Sequence, residues 1–319
     1  MNLSIVICTH NRAQLLSETI DSLNRAQRPT DFLSEIVVVA NGCNDNTLAM
    51  LQRYAERQDS DDTLPLRYFE EARLGKSYAL NTALQLELAP VVAFVDDDQV
   101  TDSGFLQGIV DAVTHYADAD IFCGKIHPNW TGAEPEWVHA AEPYPIFPTP
   151  VPKFDLGETS QVIARNTITP SGGNIFVRRD LIAKVGPFST ELGPTGHNLL
   201  GGEDVEWIKR ALALGATLRY IPAVRQLHYV DPQRITMPYM LRKAFERSCS
   251  VVLFSPQHQA PKRVPRYLLR KLLSHVLTAL FTFNAHKRRH FMLRTAATLG
   301  EIKGFRKLVQ ENKLRSLYT

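Results

Sequence analysis

The segment APVVAFVDDDQV, residues 89–100, joins a short apolar run to three adjacent carboxylates, Asp96, Asp97 and Asp98. The run is short and rich in valine, so it reads as a buried strand. Like charges crowd at its end and require a turn, a helix cap or a cation. On an extended strand end, side chains alternate, which puts Asp96 and Asp98 on one face and turns Asp97 away. Two carboxylates on one face suit a hard ion, Mg2+ or Mn2+, whose remaining ligands are commonly waters and phosphate oxygens. Aspartates are also frequent in turns, so the triplet alone leaves both readings open.

Working outward, LSIVICT (3–9), EIVVVAN (35–41), LRYFEE (66–71) and PVVAFVD (90–96) read as strands. Segments 12–26, 46–57 and 75–87 between them carry apolar residues at helical spacing. Strands alternating with helices predict βαβ units and a mainly parallel sheet covered by helices on both faces. Ligands of such sheets bind outside the carboxyl ends of the strands. The polar clusters Thr9–Arg12, Asn41–Asp45 and Asp96–Asp98 are therefore expected to line one crevice. Further on come SGGNIFVRRDLIAKVGPF (171–188), a glycine-rich loop (192–202), a helix over 203–215 and a strand over 217–222.

Residues 127–154 hold seven prolines among Trp130, Trp137, Tyr144, Phe147 and Phe154. That density argues against regular helix or central strand. The segment is expected to be irregular but ordered, either over part of the crevice or as a packing arm. From about Pro238 the chain becomes helical and basic. Residues 262–319 contain 14 Lys and Arg against two acids, a net +12. The whole chain carries +3, so residues 1–261 carry −9. A basic tail on an acidic body points to an anionic partner: a membrane surface, a nucleic acid or a phosphorylated substrate. A solvated helical subdomain fits the same pattern.

Four scattered cysteines, with no CxxC, suggest reduced thiols in a cytoplasmic protein. The N-terminus MNLSIVICTHNR does not read as a signal peptide, and no apolar run is long enough to span a membrane.

In GGEDVEW, Glu203 and Asp204 open an amphipathic helix, where acids suit the helix dipole. An ionised carboxylate there can also take a proton from a hydroxyl. Lys76 and Arg12 stand at helix starts and can meet phosphate. His228 follows a strand and can join a carboxylate pair as a metal ligand.

Taken in order, SIVICTHNRAQLLSETIDSL, EIVVVANGCNDNT, LGKSYALNTAL, VVAFVDDDQV, SGGNIFVRRDLIAKVGPF and GGEDVEW resemble the inverting family 2 glycosyltransferases of the GT-A fold, over about residues 3–232. The resemblance implies a Rossmann-like α/β domain over 1–235, with a nucleotide-binding half (1–100) and an acceptor half (101–235), then a basic helical region over 236–319. It implies a UDP- or GDP-linked sugar as donor, with Thr9, Arg12, Asn41, Lys76, Asp96 and Asp97 on the nucleotide side. Many relatives have an aspartate where this chain has Asn41, which leaves the base open. Asp96 and Asp98 correspond to the ends of the DxD motif, Asp98 as direct ligand of Mn2+ or Mg2+, with His228 as a further ligand. Asp204 corresponds to the catalytic base. Gly173, Asn174, Gly202, Glu203 and Trp207 fall on the acceptor side or the adjoining loop.

The processive members' QxxRW motif and spanning helices are absent from the sequence, so the expectation is transfer of one or a few sugars to a glycan or lipid-linked acceptor. The setting implied is cell-surface polysaccharide or glycolipid synthesis at the inner face of the cell membrane, with no nucleic acid partner. A catalytically silent sugar-nucleotide or polyanion binder is the competing reading. A nucleotidyltransferase is another, although CTHNRAQ lacks the glycines its phosphate loop wants.

Overall fold

The structure is a computed structural model and describes residues 1–56, 63–165, 167–170, 172–193, 202–254, 261 and 263–318. The chain forms two compact units, Met1–Asn129 with Pro152–Tyr229, and Trp130–Val151 with Val230–Thr319.

In the first unit the chain runs β1 (Leu3–Thr9), α1 (Ala13–Arg25), β2 (Ser34–Asn41), α2 (Thr47–Glu56), β3 (Leu66–Glu71), α3 (Lys76–Leu84), β4 (Val91–Asp96), β5 (Gln99–Thr101), α4 (Phe105–His115) and β6 (Ile121–Asn129). It continues through β7 (Gln161–Val162), β8 (Asn174–Arg178), α5 (Arg179–Val185), α6 (Glu203–Ala213) and β9 (Leu218–Tyr229). Among the described residues these strands form one sheet in the order β3-β2-β1-β4-β8-β6-β9-β5, with β7 paired to β9. The first four are parallel. β8 is antiparallel to both β4 and β6, β6 runs parallel to β9, and β5 and β7 are antiparallel to β9.

β1 and β2 are buried along nearly their whole lengths and apolar through their centres because each sheet face has its own core. One face gathers Val6, Val37, Val92 and Trp207, the other Ile5, Ile36, Ala93 and Phe105. Period-2 alternation thus assigns neighbouring residues of one strand to two different cores. The expected α/β fold with helices on both faces is the fold observed.

The proline-rich segment divides differently from the expectation. Its first residues, His127–Asn129, finish β6, and Pro128 lies opposite His228 on β9. Phe154 pairs with Ile126 and joins the first core. Trp130–Val151 belongs to the second unit, together with α7 (Met237–Phe254), α8 (Tyr267–Phe281) and α9 (Ala285–Tyr318). The units therefore do not divide at 235/236. Carbonyls in a proline-rich segment lack ladder partners. Here Lys243 Nζ donates to Thr149 O at 2.9 Å and Pro150 O at 3.1 Å, and His290 Nδ1–H donates to Pro145 O at 2.8 Å. Ile146 packs with Met240, Ala244 and Leu293.

α9 approaches α7 closely at Gly300, where a Cβ would lie 2.0 Å from the carbonyl oxygen of Phe245. A glycine inside a helix costs about 1 kcal/mol relative to alanine, and the close crossing offsets it. The methyl group of Gly300→Ala would collide with backbone, so this variant is expected to lose about 1–3 kcal/mol despite its better helix propensity. Urea denaturation followed by circular dichroism measures it; a variant as stable as the wild type would contradict the crossing.

Candidate active site

β4 ends at Asp96 and the chain turns at Asp97 and Asp98 into β5. The strand alternation therefore stops at Asp96, and Asp97 does not turn away from its neighbours. Thr9 Oγ1 donates to Asp97 Oδ2 at 2.7 Å, and Arg12 Nη1 donates to Asp97 Oδ1 at 2.8 Å and Asp98 Oδ2 at 3.0 Å. Asp97 and Asp98 are 5% and 7% exposed. Lys76, the first residue of α3, bonds Asp96 Oδ1 at 2.5 Å. Each of the three carboxylates thus has a cation from another βα unit. Burial alone would depress Lys76, but Asp96, Glu203 and Asp204 hold its ammonium well above the usual range. Burial pushes Asp96 up, yet the cations, Lys76 foremost, bring it below the ordinary carboxylate value. Asp97 lies above its ordinary value, because burial and repulsion from Asp98 outweigh Arg12.

His228 reaches this cluster through sheet register, since β5 pairs Gln99 with His228 and Tyr229 N–H donates to Asp98 O at 2.8 Å. Its Nδ1–H donates to Tyr229 O at 2.8 Å, and Nε2 lies 3.4 Å from Asp98 Oδ1. A ring proton held by a backbone carbonyl leaves the other nitrogen's lone pair free to ligate. One candidate ligand atom from each of Asp96, Asp98 and His228 falls within 4.8 Å of the others. Two carboxylates and one imidazole around a common point fit a divalent ion of the Mn2+ or Mg2+ class.

Asp204 enters from the first turn of α6, behind Gly202, whose φ of 103° is left-handed. The Gly172 amide donates to Asp204 Oδ2. A Cβ at Gly172 would lie 2.7 Å from Asp204 Cβ, and one at Gly173 would lie 2.2 Å from Asp96 Oδ2. These two glycines at the head of β8 let backbone pass between the two acidic groups. Lys76, Asp96, Gly172 and Asp204 line one pocket together with Cys8. Burial pushes the Cys8 thiol up to about 12, so it is no thiolate nucleophile at neutral pH. The four cysteines are free.

Glu203 is buried, its Oε2 has no hydrogen-bond partner, and its Oε1 lies 4.0 Å from Lys76. Burial, with Asp204 and Asp96 adding repulsion, raises its carboxyl above the ordinary value.

Other expected site residues serve the frame. Asn41 is buried; its amide donates to Glu71 O at 3.0 Å and Arg73 O at 2.7 Å, and its Oδ1 accepts from Gly75 N–H at 2.8 Å. It thereby pins the turn that delivers Lys76. An aspartate would lack both donors, which is the physical reason for an amide here. Trp207 is fully buried, donates Nε1–H to Gly186 O at 2.9 Å and stacks on Phe188, so it is core rather than acceptor surface. Asn174 is likewise buried and donates to Lys125 O at 2.7 Å. The glycine-rich loop, 192–202, falls largely outside the described residues, which omit 194–201. Gly172 carried no sequence signal beyond the glycine pair, and its contact with Asp204 comes from tertiary structure.

Two stability tests follow from this geometry. Asn41→Asp is expected to cost about 1–3 kcal/mol through two unpaired carbonyls, read by urea denaturation. A raised folded-state carboxyl favours the folded protein at low pH and penalises it once ionised. Above the ordinary glutamate range, Glu203→Gln is therefore expected to melt higher than wild type. That advantage should shrink as pH falls through the range; an advantage that grows on acidification contradicts the sign.

The Glycosyl transferase family 2 description matches residues 4–186. The glucosyl-dolichyl phosphate glucuronosyltransferase of Haloferax volcanii is 31% identical over 287 residues, 88% of this chain and 86% of that protein. Glycosyltransferase AglE of the same organism is 25% identical over 229 residues, covering 72% and 67%. Among solved structures, mannosyltransferase PcManGT from Pyrobaculum calidifontis, in complex with GDP-Man and Mn2+, superposes with TM-score 0.55 at 21% identity, over 93% of this chain and 73% of that one. S. aureus TarS 1–349 in complex with UDP-GlcNAc gives TM-score 0.55 at 17% identity, over 99% and 92%. This chain spans 55% of the longer TarS chain. At such identities the structural likeness establishes the GT-A fold. With a family match over more than half its length, the chain belongs to the family 2 glycosyltransferases.

Proposed function

We propose that this glycosyltransferase is metal-dependent and inverting, and moves a hexosyl-type sugar from a UDP- or GDP-linked donor to a hydroxyl of a glycan or lipid-linked acceptor. The observation that carries the reading is that Asp96 belongs both to the ligand cluster with Asp98 and His228 and to the pocket it lines with Lys76 and Asp204. Asp96, Asp98 and His228 would hold Mn2+ or Mg2+, which when bound neutralises charge on the departing nucleoside diphosphate. Arg12 and Lys76 add cationic charge beside the same oxygens, both at helix N-termini suited to phosphate. Asp97 and Thr9 orient Arg12 on the nucleotide side. Asp204, steadied by the Gly172 amide, takes the proton of the acceptor hydroxyl. The hydroxyl oxygen then forms a bond to the anomeric carbon from the face opposite the leaving diphosphate. The carbon–oxygen bond to that diphosphate breaks with its electron pair, and one displacement inverts the centre. Gly173, Gly202 and Glu203 shape the acceptor side.

A lipid-linked acceptor is favoured by the name of the Haloferax volcanii relative and by the basic C-terminal helices. A non-processive transfer of one or a few sugars in glycolipid or surface polysaccharide synthesis, at the inner face of the cell membrane, suits both.

The test is release of nucleoside diphosphate from a panel of UDP- and GDP-sugars with Mn2+ or Mg2+. Asp98→Ala and Asp204→Asn are each expected to lose about 100-fold or more, and EDTA to abolish turnover until metal is restored. Full activity in both variants, or indifference to EDTA, would overturn the reading. A donor that raises the melting temperature identifies the nucleotide sugar.

A further inference from the structure

Helix α8 is apolar on two opposite sides. Leu268 and His275 are buried in the second unit, where Leu268 packs with Val252, Ile302 and Phe305. Half a turn away, Leu269, Leu273, Leu277, Leu280 and Phe281 are 44–77% exposed. They recur every three or four residues and so form one stripe down the helix. Phe283, just beyond its end, is 98% exposed. Contiguous exposed apolar surface of this kind marks a docking site.

The charges around the stripe select the occupant. Arg263, Arg266 and Arg270 lie at one end, and Lys287, Arg288 and Arg289 follow the other. Lys271 is paired with Glu301 at 2.9 Å. From Lys262 to Gly300 the sequence has no Asp or Glu. A two-fold contact with a second copy would oppose two wholly basic rims, with no acid on either side to meet them. A bilayer offers what the stripe lacks: dispersed negative headgroups above hydrocarbon. Arginine stems can lie along the apolar boundary while their guanidinium groups reach phosphate.

The 15 residues of α8 extend about 22 Å, short of the ~30 Å hydrocarbon core. No helix among the described residues is long and apolar enough to cross a membrane. We propose that α8 lies in the headgroup layer of an anionic bilayer, with the stripe from Leu269 to Phe283 immersed and the flanking basic residues on lipid phosphates. The proposal rests on the lipid-linked acceptor reading for its purpose, since such an acceptor must be met at that surface. The binding itself is independent of catalysis.

The experiment is flotation of the full chain with vesicles of phosphatidylcholine mixed with phosphatidylglycerol, and with phosphatidylcholine alone. Wild type is expected to float with the mixed vesicles and to bind the neutral ones about tenfold less or weaker still. The triple variant Leu273→Ser/Leu277→Ser/Phe281→Ser is expected to lose at least about tenfold in partitioning with its melting temperature retained. As a second variant, Leu277→Trp should show fluorescence quenched by brominated acyl chains beyond the quenching seen in wild type. Equal flotation of the triple variant, or no added quenching, overturns the proposal. So does a wild-type dimer by light scattering that the triple variant makes monomeric, because the occupant would then be a second copy. Donor-induced thermal stabilisation, measured in parallel, is expected to be the same in the triple variant as in wild type. A wild type that floats without any donor response supports the surface and counts against the transfer reading instead.

Discussion

Three adjacent carboxylates sit at the edge of a core, and their charge balance governs the arrangement of the first unit. Taking a carboxylate out of water costs several kcal/mol even after relaxation, so the buried Asp97 and Asp98 are tolerable only with cations beside them, and the partly buried Asp96 has one as well. Arg12 and Lys76 supply these from the N-terminal ends of α1 and α3. The helix dipole favours anions at those ends and disfavours cations. The two basic residues therefore stand where helix electrostatics oppose them, and the aspartates offset that cost. The same combination of helix N-termini, cations and carboxylates is what the proposed site for phosphate oxygens and a divalent ion rests on. Fold stability and ligand chemistry draw on one set of ion pairs here.

The glycine pair at the head of β8 links that set to Asp204. A side chain at either position would meet an acidic group at less than van der Waals distance. Backbone amide at this point does two things at once: it separates Asp96 from Asp204 and donates a hydrogen bond to the latter. A carboxylate accepting from a main-chain amide stays oriented while its other oxygen remains close to the helix turn, where Val205 N–H meets it at 2.7 Å. This is how a residue about a hundred positions from the aspartate triplet is held in register with it.

Much of this was legible in the sequence, for physical reasons. The strands β1 to β4 and the helices between them follow from short apolar runs alternating with helical periodicity, and the polar clusters at the strand ends mark the crevice. Long-range register was not legible. His228 reaches Asp98 only because β5 pairs with β9, and β5 is three residues long with no pattern of its own. Pro128 and Pro222 both lie within strands, a placement that proline counting argues against. Asp97 escaped the alternation argument because β4 ends one residue earlier. Trp207, in a motif that resembles an acceptor segment, is instead the anchor of α6 on the core; the motif's spacing reports the helix, and the tryptophan's role depends on which face it occupies.

The uneven charge along the chain acquires a narrower meaning from these contacts. At physiological salt, exposed charges act over about 8 Å, so a basic residue serves an anionic ligand only where it lies beside it. The anion chemistry of the first unit is local, carried by Arg12 and Lys76 within an acidic segment of the sequence. The basic residues around α8 serve what touches that helix. The stripe they frame is apolar enough to seek hydrocarbon and too short to cross it. Charge and length together point to a surface of lipid headgroups, and they do so without reference to the sugar that the first unit transfers.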